Sequence, residues 1–340
     1  ASLIERMLDA GEIEPVEAHY ELGVLARDKF VDLDRAMDHF RAAFGLRADH
    51  VKTAEALQGL MAVDAYRVQA AELLEPYYLH KLDWKQVTTV LDARIGAEAN
   101  DLSRKRLRLR RAQIIEEYIE DLDAAFTAYA DLLREDRSDA TVVDTLARLA
   151  RVLDLHGDLA RVYQSVLDDV TVDDPSSAEL ARMTGRLFAE HTDDMEAAAA
   201  CFERVLRFDA RDDWAAQSLE AVLLRLSAHA RLVDFYRERA DQQDSDVDAV
   251  AILQRRVQIL AGPLGDVNGA IDAYVEILDL QPADPVALDE LERMLRATSR
   301  WDDLVEHLGR RAELAVGTPV EFDRRFDVGV VQYEKLSRLT

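Results

Sequence analysis

The chain has 340 residues, of which 49% are hydrophobic and 32% are charged, and its net charge is −25. This composition is typical of a folded, helix-rich protein, and the negative charge disfavours unselective nucleic-acid binding. No run of 18 or more apolar residues is present, so we expect no membrane insertion. The single cysteine, Cys201, excludes an intrachain disulfide and favours a cytoplasmic location. Because it stands beside Phe202 on an apolar helix face, we expect an inert, buried thiol.

The chain opens with a segment, residues 1–12, that reads as the end of a helix and has none of the features of a signal peptide. Further on, Ala36 is followed four residues later by Phe40, and this step from a small or apolar residue to a bulky one returns along the chain. The later pairs are Val87/Leu91, Ala125/Tyr129, Leu159/Tyr163, Ala198/Phe202, Leu232/Tyr236, Ala270/Tyr274 and Leu304/Leu308. From Ala125 onward the first members are 34, 39, 34, 38 and 34 residues apart. A period of this size predicts stacked helical units.

The first of these units is longer than the others. Ala36 and Val87 are 51 residues apart, which is 34 plus 17, so one extra helix is expected. We assign the surplus to residues 50–81, which predict two helices, and we expect Pro76 to kink or end the second one. The aromatic residues there, Tyr77, Tyr78 and Trp84, either anchor a partner or pack between helices, and packing is the simpler interpretation.

The remaining chain predicts three copies of a four-helix unit. The predicted helices are about 102–119, 122–135, 139–154 and 156–170; 176–191, 194–208, 212–226 and 228–242; and 247–261, 266–280, 284–297 and 300–315. Aspartates stand at fixed distances from the small anchor residues, where a carboxylate can accept hydrogen bonds from the N–H groups of a helix start. The predicted capping residues are Asp32, Asp121, Asp194, Asp266, Asp49, Asp139, Asp212 and Asp284.

The segment DVNGAIDAYVEILDLQPADP, which contains Ala270, Tyr274, Ile277 and Pro282, resembles a tetratricopeptide repeat. Ala36, Phe40 and Ala43 repeat three of these places, and Gly23 and Gly185 stand near the family's glycine position. The resemblance implies an all-α fold: a right-handed α-solenoid of antiparallel helix pairs, a tetratricopeptide-like superhelix with about 18–19 helices. It also implies a bacterial source, since long arrays of this paired type resemble those of large bacterial proteins.

The repeats divide the chain into five predicted regions. These are 1–98 with the extra helix at about 50–81, 99–171, 172–242, 243–316, and 317–340 as the first helix of a further repeat or a C-terminal capping helix.

No motif for catalysis stands out. The glycine-rich phosphate and dinucleotide loops and the G-x-S-x-G elbow are absent, and no two histidines have metal-ligand spacing. We expect His191 and His307 to be exposed helix or turn residues. The sequence therefore predicts a protein that is not an enzyme and that uses no cofactor and no metal.

By resemblance, the first helix of each pair lines a concave groove that receives a peptide. The residues assigned to it, after Tyr20 and Arg27, are Arg106, Gln113, Arg148, Arg151, Arg182, Arg186, Gln254, Gln258, Arg293 and Arg296. Guanidinium groups bind carboxylates in a bidentate fork, so this set predicts an acidic peptide or a C-terminal carboxylate as ligand. The alternative is that these arginines only pair with acidic residues on the next helix.

The basic run Arg104–Arg111 allows the same two interpretations. It is either a site for an anionic partner or a salt-bridged helix face. The second is favoured because Arg110 and Arg111 recur as Arg255 and Arg256 at the same distances, 15 and 14 residues, before their anchors.

These observations predict a non-enzymatic scaffold or adaptor that binds other proteins. An alternative is a regulatory or localisation arm of a larger multidomain bacterial protein acting in signalling, motility or polarity. RNA binding is a third class, which the acidity and the lack of a continuous basic groove oppose, so no nucleic-acid partner is expected. The oligomeric state is not predicted.

Overall fold

A computed structural model describes residues 2–336, apart from the side chains of Ser2 and Asp9. Over these residues the chain forms nineteen α-helices and no β-strand, which confirms the all-α prediction. The chain divides into two compact units, Ala1–Val166 and Leu167–Thr340. Each is described by itself, and residues 337–340 of the predicted last region lie outside the described residues.

The first unit begins with six helices that include the predicted insertion. They are α1 (Ser2–Asp9), α2 (Pro15–Leu25), α3 (Leu33–Leu46), α4 (Val51–Leu60), α5 (Arg67–Lys81) and α6 (Trp84–Ala97). The unit continues with α7 (Asp101–Ile114), α8 (Leu122–Glu135), α9 (Ala140–Leu153) and α10 (His156–Asp168), whose end crosses the division. Helices α2 and α7 each run on into a five-residue π-helical turn, Ala26–Phe30 and Ile115–Ile119.

The second unit contains nine further helices. They are α11 (Pro175–His191), α12 (Met195–Phe208), α13 (Asp213–Arg225), α14 (His229–Asp241), α15 (Asp246–Ala261), α16 (Val267–Leu280), α17 (Pro285–Ala297), α18 (Trp301–Leu314) and α19 (Glu321–Leu336). The twelve helices predicted between 102 and 315 are all present, with ends within two residues of the predicted ones when the π-helical turn that extends α7 to Ile119 is included. We call α2, α7, α9, α11, α13, α15 and α17 the first helices of their pairs.

Aspartate caps fix many of the helix starts. The carboxylate of Asp32 accepts a hydrogen bond from the backbone N–H of Arg35, 3.0 Å away. Each of six further predicted caps likewise accepts from the N–H three residues on; these are Asp121, Asp194, Asp266, Asp139, Asp212 and Asp284. Such a cap stabilises a helix by about 1 kcal/mol.

The predicted cap at Asp49 is wrong. Helix α4 starts one residue later than the pattern suggests, so that His50 holds the capping position without a side-chain cap. The buried His50 ring instead lies 2.7 Å from the Thr53 hydroxyl and 3.3 Å from the Glu17 carboxylate. The histidine therefore joins α4 to α2 rather than capping α4.

Two of the helix pairs approach closely at a glycine. A Cβ atom built on Gly23 would lie 2.6 Å from the Cε1 atom of Phe40, and one built on Gly185 would lie 2.6 Å from Cε1 of Phe202. Only hydrogen fits there, so each ring of the second helix lies close to the backbone of the first. The same rings are buried, as is Cys201, whose thiol pKa burial raises to about 12.

The extra helix changes the direction of the chain in the first unit. The Tyr66 hydroxyl, at the start of α5, donates to Asp34 at the start of α3 (2.9 Å), and Tyr77 near the end of α5 stacks on Phe44 near the end of α3. Helices α3 and α5 therefore run in the same direction. Because α5, α6 and α7 alternate in direction, α7 runs parallel to α3 and antiparallel to its own counterpart, α2.

Pro76 does not end helix α5, which continues to Lys81. A proline removes the N–H that the carbonyl four residues earlier would accept. That carbonyl belongs to Glu72. Both Pro76 and Glu72 are exposed, so water can replace the lost donor. The part of the prediction in which Pro76 terminates the helix is wrong.

The expected exposure of His307 is also wrong. The side chain is buried between α17 and α18, where its Nε2 atom lies 2.9 Å from the carbonyl oxygen of Leu288. Burial lowers the pKa of His307, and the neighbouring Arg311 acts in the same direction. Its ring lies on the same helix face as Leu304 and Leu308, both fully buried.

Glycine substitutions test the close approach. We expect Gly185→Ala to lower the free energy of unfolding by about 1–3 kcal/mol, because the new methyl group collides with the Phe202 ring. The matched control is Gly309→Ala on α18, where no atom lies within 4 Å of the new Cβ. There alanine should stabilise the helix by about 0.5–1 kcal/mol. Urea unfolding, followed by circular dichroism, gives the change in the free energy of unfolding for both variants. Changes of the same sign in the two variants would contradict the close approach at Gly185.

Acid titration tests His307. Unfolded histidine binds a proton near pH 6.5, whereas the folded residue resists it because its pKa is lowered. The unfolded state then carries more protons, so the contribution of His307 is fully present above pH 6.5 and falls as the pH decreases towards 5. His307→Gln keeps a donor for the Leu288 carbonyl and should lose less stability between pH 7 and pH 5. If the free energy of unfolding fell equally with pH in the unaltered protein and in His307→Gln, the lowered pKa of His307 would be refuted.

Candidate interaction surfaces

The basic run on α7 is a salt-bridged helix face. The Lys105 ammonium lies 2.6 Å from Asp136 and 2.9 Å from Asp139, and its hydrogen bond lowers the pKa of Asp136 to about 2. Arg108 pairs with Glu135 at the end of α8. These contacts agree with the interpretation of the run as a salt-bridged helix face. They also pair Lys105 and Arg108 internally, so that these charges are not available to an anionic partner.

The other end of the run reaches back to the preceding helices. Glu75 on α5 is 6% exposed, and its carboxylate accepts hydrogen bonds from Arg94 on α6 and Arg110 on α7. A buried carboxylate is costly unless cations compensate it, and here two guanidinium groups do so. Three helices around the insertion are thereby tied together.

The same pair recurs in the second unit, with the same separation of 35 residues. Arg255 on α15 donates to Glu220 on α13 at 2.9 Å, as Arg110 does to Glu75. Glu220 also accepts from the Tyr236 hydroxyl, 2.8 Å away. The sequence signal for this pair was the recurrence of Arg110 as Arg255. Its acidic partners were missed because they lie on another helix.

Two of the predicted groove arginines link neighbouring helices. Arg148 on α9 pairs with Glu116 at the end of α7. Arg182 on α11 pairs with the Asp212 cap of α13, and its guanidinium lies 5.7 Å from the centre of the Trp214 ring. Both side chains are held by the fold.

Two others pair within their own helix α17. The Arg293 guanidinium lies 2.6 Å from Glu290, and that of Arg296 lies 2.9 Å from Glu292. Both arginines remain exposed, and exposed pairs of this kind contribute well under 1 kcal/mol. Their charges are thus available for exchange with another carboxylate.

The remaining predicted groove residues are exposed, and the three arginines among them have no ion-pair partner among residues 2–336. They are Arg106, Arg151, Arg186, Gln113, Gln254 and Gln258. Of the two residues placed before them, Tyr20 packs edge-on against His50, and Arg27 pairs with Asp28 at 2.6 Å.

A cleft of about 400 Å³ lies between α13, α14 and α15 of the second unit. Its walls carry Gln217 and Glu220 from α13, Tyr236 from α14, and Ile252 and Arg255 from α15. The cleft therefore combines a few aromatic and aliphatic side chains with a carboxylate–guanidinium pair. None of the predicted groove residues lines it.

The aromatic residues near the insertion pack between helices. Trp84 stacks on Tyr118 with ring centres 4.0 Å apart, Tyr77 stacks on Phe44, and Tyr78 is buried. The simpler interpretation of these rings is therefore the right one. Only Tyr118, in the π-helical turn, leaves about half of its surface exposed.

Over the described part of the chain, no three His, Cys, Asp or Glu side chains are grouped so as to hold a metal ion. No helix within residues 2–336 has the length and apolar character needed to cross a membrane.

Breaking the buried pair tests the contacts around Glu75. Glu75→Gln preserves the side-chain shape but leaves Arg94 and Arg110 without their shared anion, so we expect a loss of about 1–3 kcal/mol in the free energy of unfolding. The control is Asp131→Asn, which removes the exposed partner of Arg134 and should cost under about 0.5 kcal/mol. Thermal and urea unfolding measure both. Equal small losses would mean that Glu75 is solvated.

Solved structures of tetratricopeptide proteins are among those similar to this chain. YrrB, a tetratricopeptide protein with an unusual peptide-binding site, is 16% identical over 54% of this chain and 90% of its own, with a TM-score of 0.29. A tetratricopeptide repeat protein from Parabacteroides merdae is 11% identical over 83% and 99%, with a TM-score of 0.25.

A third similar structure is that of Naa15/Naa10 bound to HypK-THB. It is 15% identical over 97% of this chain but only 57% of its own, with a TM-score of 0.26, so the chain spans little more than half of it. No protein-family model and no curated protein sequence matches the chain. Two of its helix pairs nevertheless pack as the sequence resemblance implies, with Gly23 or Gly185 at the crossing and a phenylalanine ring in the gap, and over residues 2–336 the chain has the all-α helical-repeat fold that the tetratricopeptide resemblance predicts.

Proposed function

We propose that this protein is a non-enzymatic scaffold that binds acidic segments of partner proteins on the exposed face of its first helices. The observation that carries the proposal is the state of Arg106, Arg151 and Arg186. All three are exposed and have no carboxylate partner among the described residues, in a chain with 67 acidic and only 42 basic side chains. In such a surplus of acid, an arginine left without an ion pair is available to an external carboxylate.

The chemistry of these positions suits a carboxylate ligand. A guanidinium group presents a planar fork of donors that matches a carboxylate, and such charge-assisted pairs are about twice as strong as neutral hydrogen bonds. The exposed amides of Gln113, Gln254 and Gln258 add donors and acceptors for a peptide backbone.

The arginines already engaged take a secondary part in this proposal. Arg148 and Arg182 are held by Glu116 and Asp212, so a ligand would first have to displace an internal partner. Arg293 and Arg296 hold only exposed pairs within their helix, which exchange readily. The binding set therefore narrows from the ten predicted residues to those that the fold leaves available.

A cytoplasmic location and a bacterial source form part of the same proposal. The lone Cys201, buried and outside any intrachain disulfide, suits a reducing compartment. The alternative of a regulatory arm in a larger protein is decided by reading the complete gene.

Matched charge reversals test the binding face. The probe is a fluorescent peptide of ten residues rich in Glu and Asp, titrated with the intact chain and followed by anisotropy. We expect the double variant Arg106→Glu/Arg151→Glu to weaken binding at least about tenfold, and Arg186→Glu about fivefold. Added salt should weaken binding to the unaltered protein, because the contacts are exposed ion pairs.

The control makes the same charge change on second helices. Arg207 on α12 and Arg237 on α14 are also exposed and have no ion-pair partner among the described residues. The variant Arg207→Glu/Arg237→Glu should change the affinity less than twofold. Equal weakening by both double variants would reveal only a general charge effect, and no binding by the unaltered chain would remove acidic peptides as the ligand class.

A further inference from the structure

Two histidine side chains meet between helices α2 and α3. The Nδ1 atom of His19 on α2 lies 3.3 Å from the Nδ1 atom of His39 on α3, and the centres of the two rings are 5.5 Å apart. Both side chains are partly buried. Spacing along the sequence does not reveal this pair, because the two residues stand 20 positions apart and on different helices.

The packing of α2 against α3 holds both rings in position. His19 stands four residues before Gly23 on α2, so the two lie on the same helix face. His39 directly precedes Phe40, whose ring makes the close approach to Gly23. The ring of Tyr20, which follows His19, lies 6.4 Å from that of Phe40 between their centres. A ligand that bridges the two imidazoles therefore does not have to order two free side chains.

The distance between the two nitrogen atoms suits a metal ion better than a shared proton. A hydrogen bond donated by an N–H group usually spans about 2.7–3.2 Å, so 3.3 Å is long for one. Zinc binds histidine nitrogen at about 2.0–2.1 Å. An ion at that distance from both Nδ1 atoms would make an N–Zn–N angle of about 107°, close to the tetrahedral geometry of zinc sites.

The charges around the pair permit a cation to bind. Arg35, one helical turn before His39, lies 3.4 Å from the carboxylate of Glu5, and Arg41 lies 3.0 Å from that of Asp38. Each of these positive charges is thus matched by a negative one. The whole chain carries 67 acidic and 42 basic side chains, and such a surplus of negative charge attracts cations to the surface.

We propose that His19 and His39 together bind one divalent transition-metal ion, Zn²⁺, through their Nδ1 atoms. Imidazole nitrogen suits such an ion, whereas Mg²⁺ and Ca²⁺ prefer oxygen ligands. The two histidines fill two positions of a tetrahedral ion, and water fills the other two. A bound ion joins α2 to α3 beside the contact of Gly23 with Phe40, and so stabilises this helix pair.

Zinc titration of the intact chain tests this site. The protein is first freed of metal with a chelator, and Zn²⁺ is then added at about pH 7.5, where histidine is ordinarily neutral, in competition with a coloured chelator of known affinity. We expect one ion per chain with a Kd on the order of 10 µM, because two side chains hold the ion more weakly than three or four do. Mg²⁺ in about hundredfold excess should not displace it.

Three substitutions locate the ion. His19→Asn and His39→Asn each remove one ligand and should weaken Zn²⁺ binding at least about tenfold. The matched control is His80→Asn, which removes an exposed histidine of α5 and should change the affinity less than about twofold. Circular dichroism and the unfolding midpoint establish that the three variants are folded.

A second measurement uses the unaltered protein, so it does not depend on how a variant folds. In nuclear magnetic resonance spectra, Zn²⁺ should shift the imidazole signals of two of the eight histidines. These should be the two signals that are missing from the spectra of His19→Asn and His39→Asn.

Several results would overturn the proposal. These are no Zn²⁺ binding below about 1 mM, equal effects of the three substitutions, or shifted signals that belong to other histidines. Displacement of Zn²⁺ by Mg²⁺ would assign the binding to surface carboxylates. The variant Arg106→Glu/Arg151→Glu should leave the Zn²⁺ affinity unchanged, so the outcome is separate from that of the acidic-peptide test.

Discussion

In each unit, the packing of one helix pair depends on how closely two helices approach where one of them has no side chain. With hydrogen alone at Gly23 and Gly185, the rings of Phe40 and Phe202 lie against the backbone of the partner helix. Ala36 and Ala198, both fully buried, keep the second helix near enough for this contact. Since dispersion falls steeply with distance, a wider gap would forfeit much of the packing energy. The repeated step from a small residue to an aromatic one in the sequence follows from this need for a close approach.

A second constraint comes from the surplus of acidic residues. Part of it is architectural, because seven predicted aspartate caps hold helix starts and carboxylates such as Glu75 and Glu220 bridge helices. The basic side chains are correspondingly committed, above all along α7. Arginines that lie outside these internal ion pairs therefore indicate a binding surface for acidic partners better than the net charge of the chain does.

The helices were predictable from the sequence because their signals are local: a period, a cap and a small-to-aromatic step. The errors arose where a neighbouring helix decides the outcome. His307 faces Leu288 of α17, and Asp49 stands one residue before the capping position of α4, which His50 occupies in contact with Glu17 of α2. The candidate site shows the same limit, since Arg148 and Arg151 are alike in sequence and only Arg148 has Glu116 beside it. Only the recurrence of Arg110 as Arg255 revealed such a pairing.

The opposed directions of α2 and α7 have an electrostatic consequence. A helix carries about half a positive charge at its N-terminus and about half a negative charge at its C-terminus. Had the first unit contained no α4, both first helices would present like ends to the same side. With α4 inserted, the positive end of α2 lies on the side where α7 ends in carbonyl groups. The macrodipoles of these two helices therefore oppose each other, and an extended ligand crossing both would meet potentials of alternating sign.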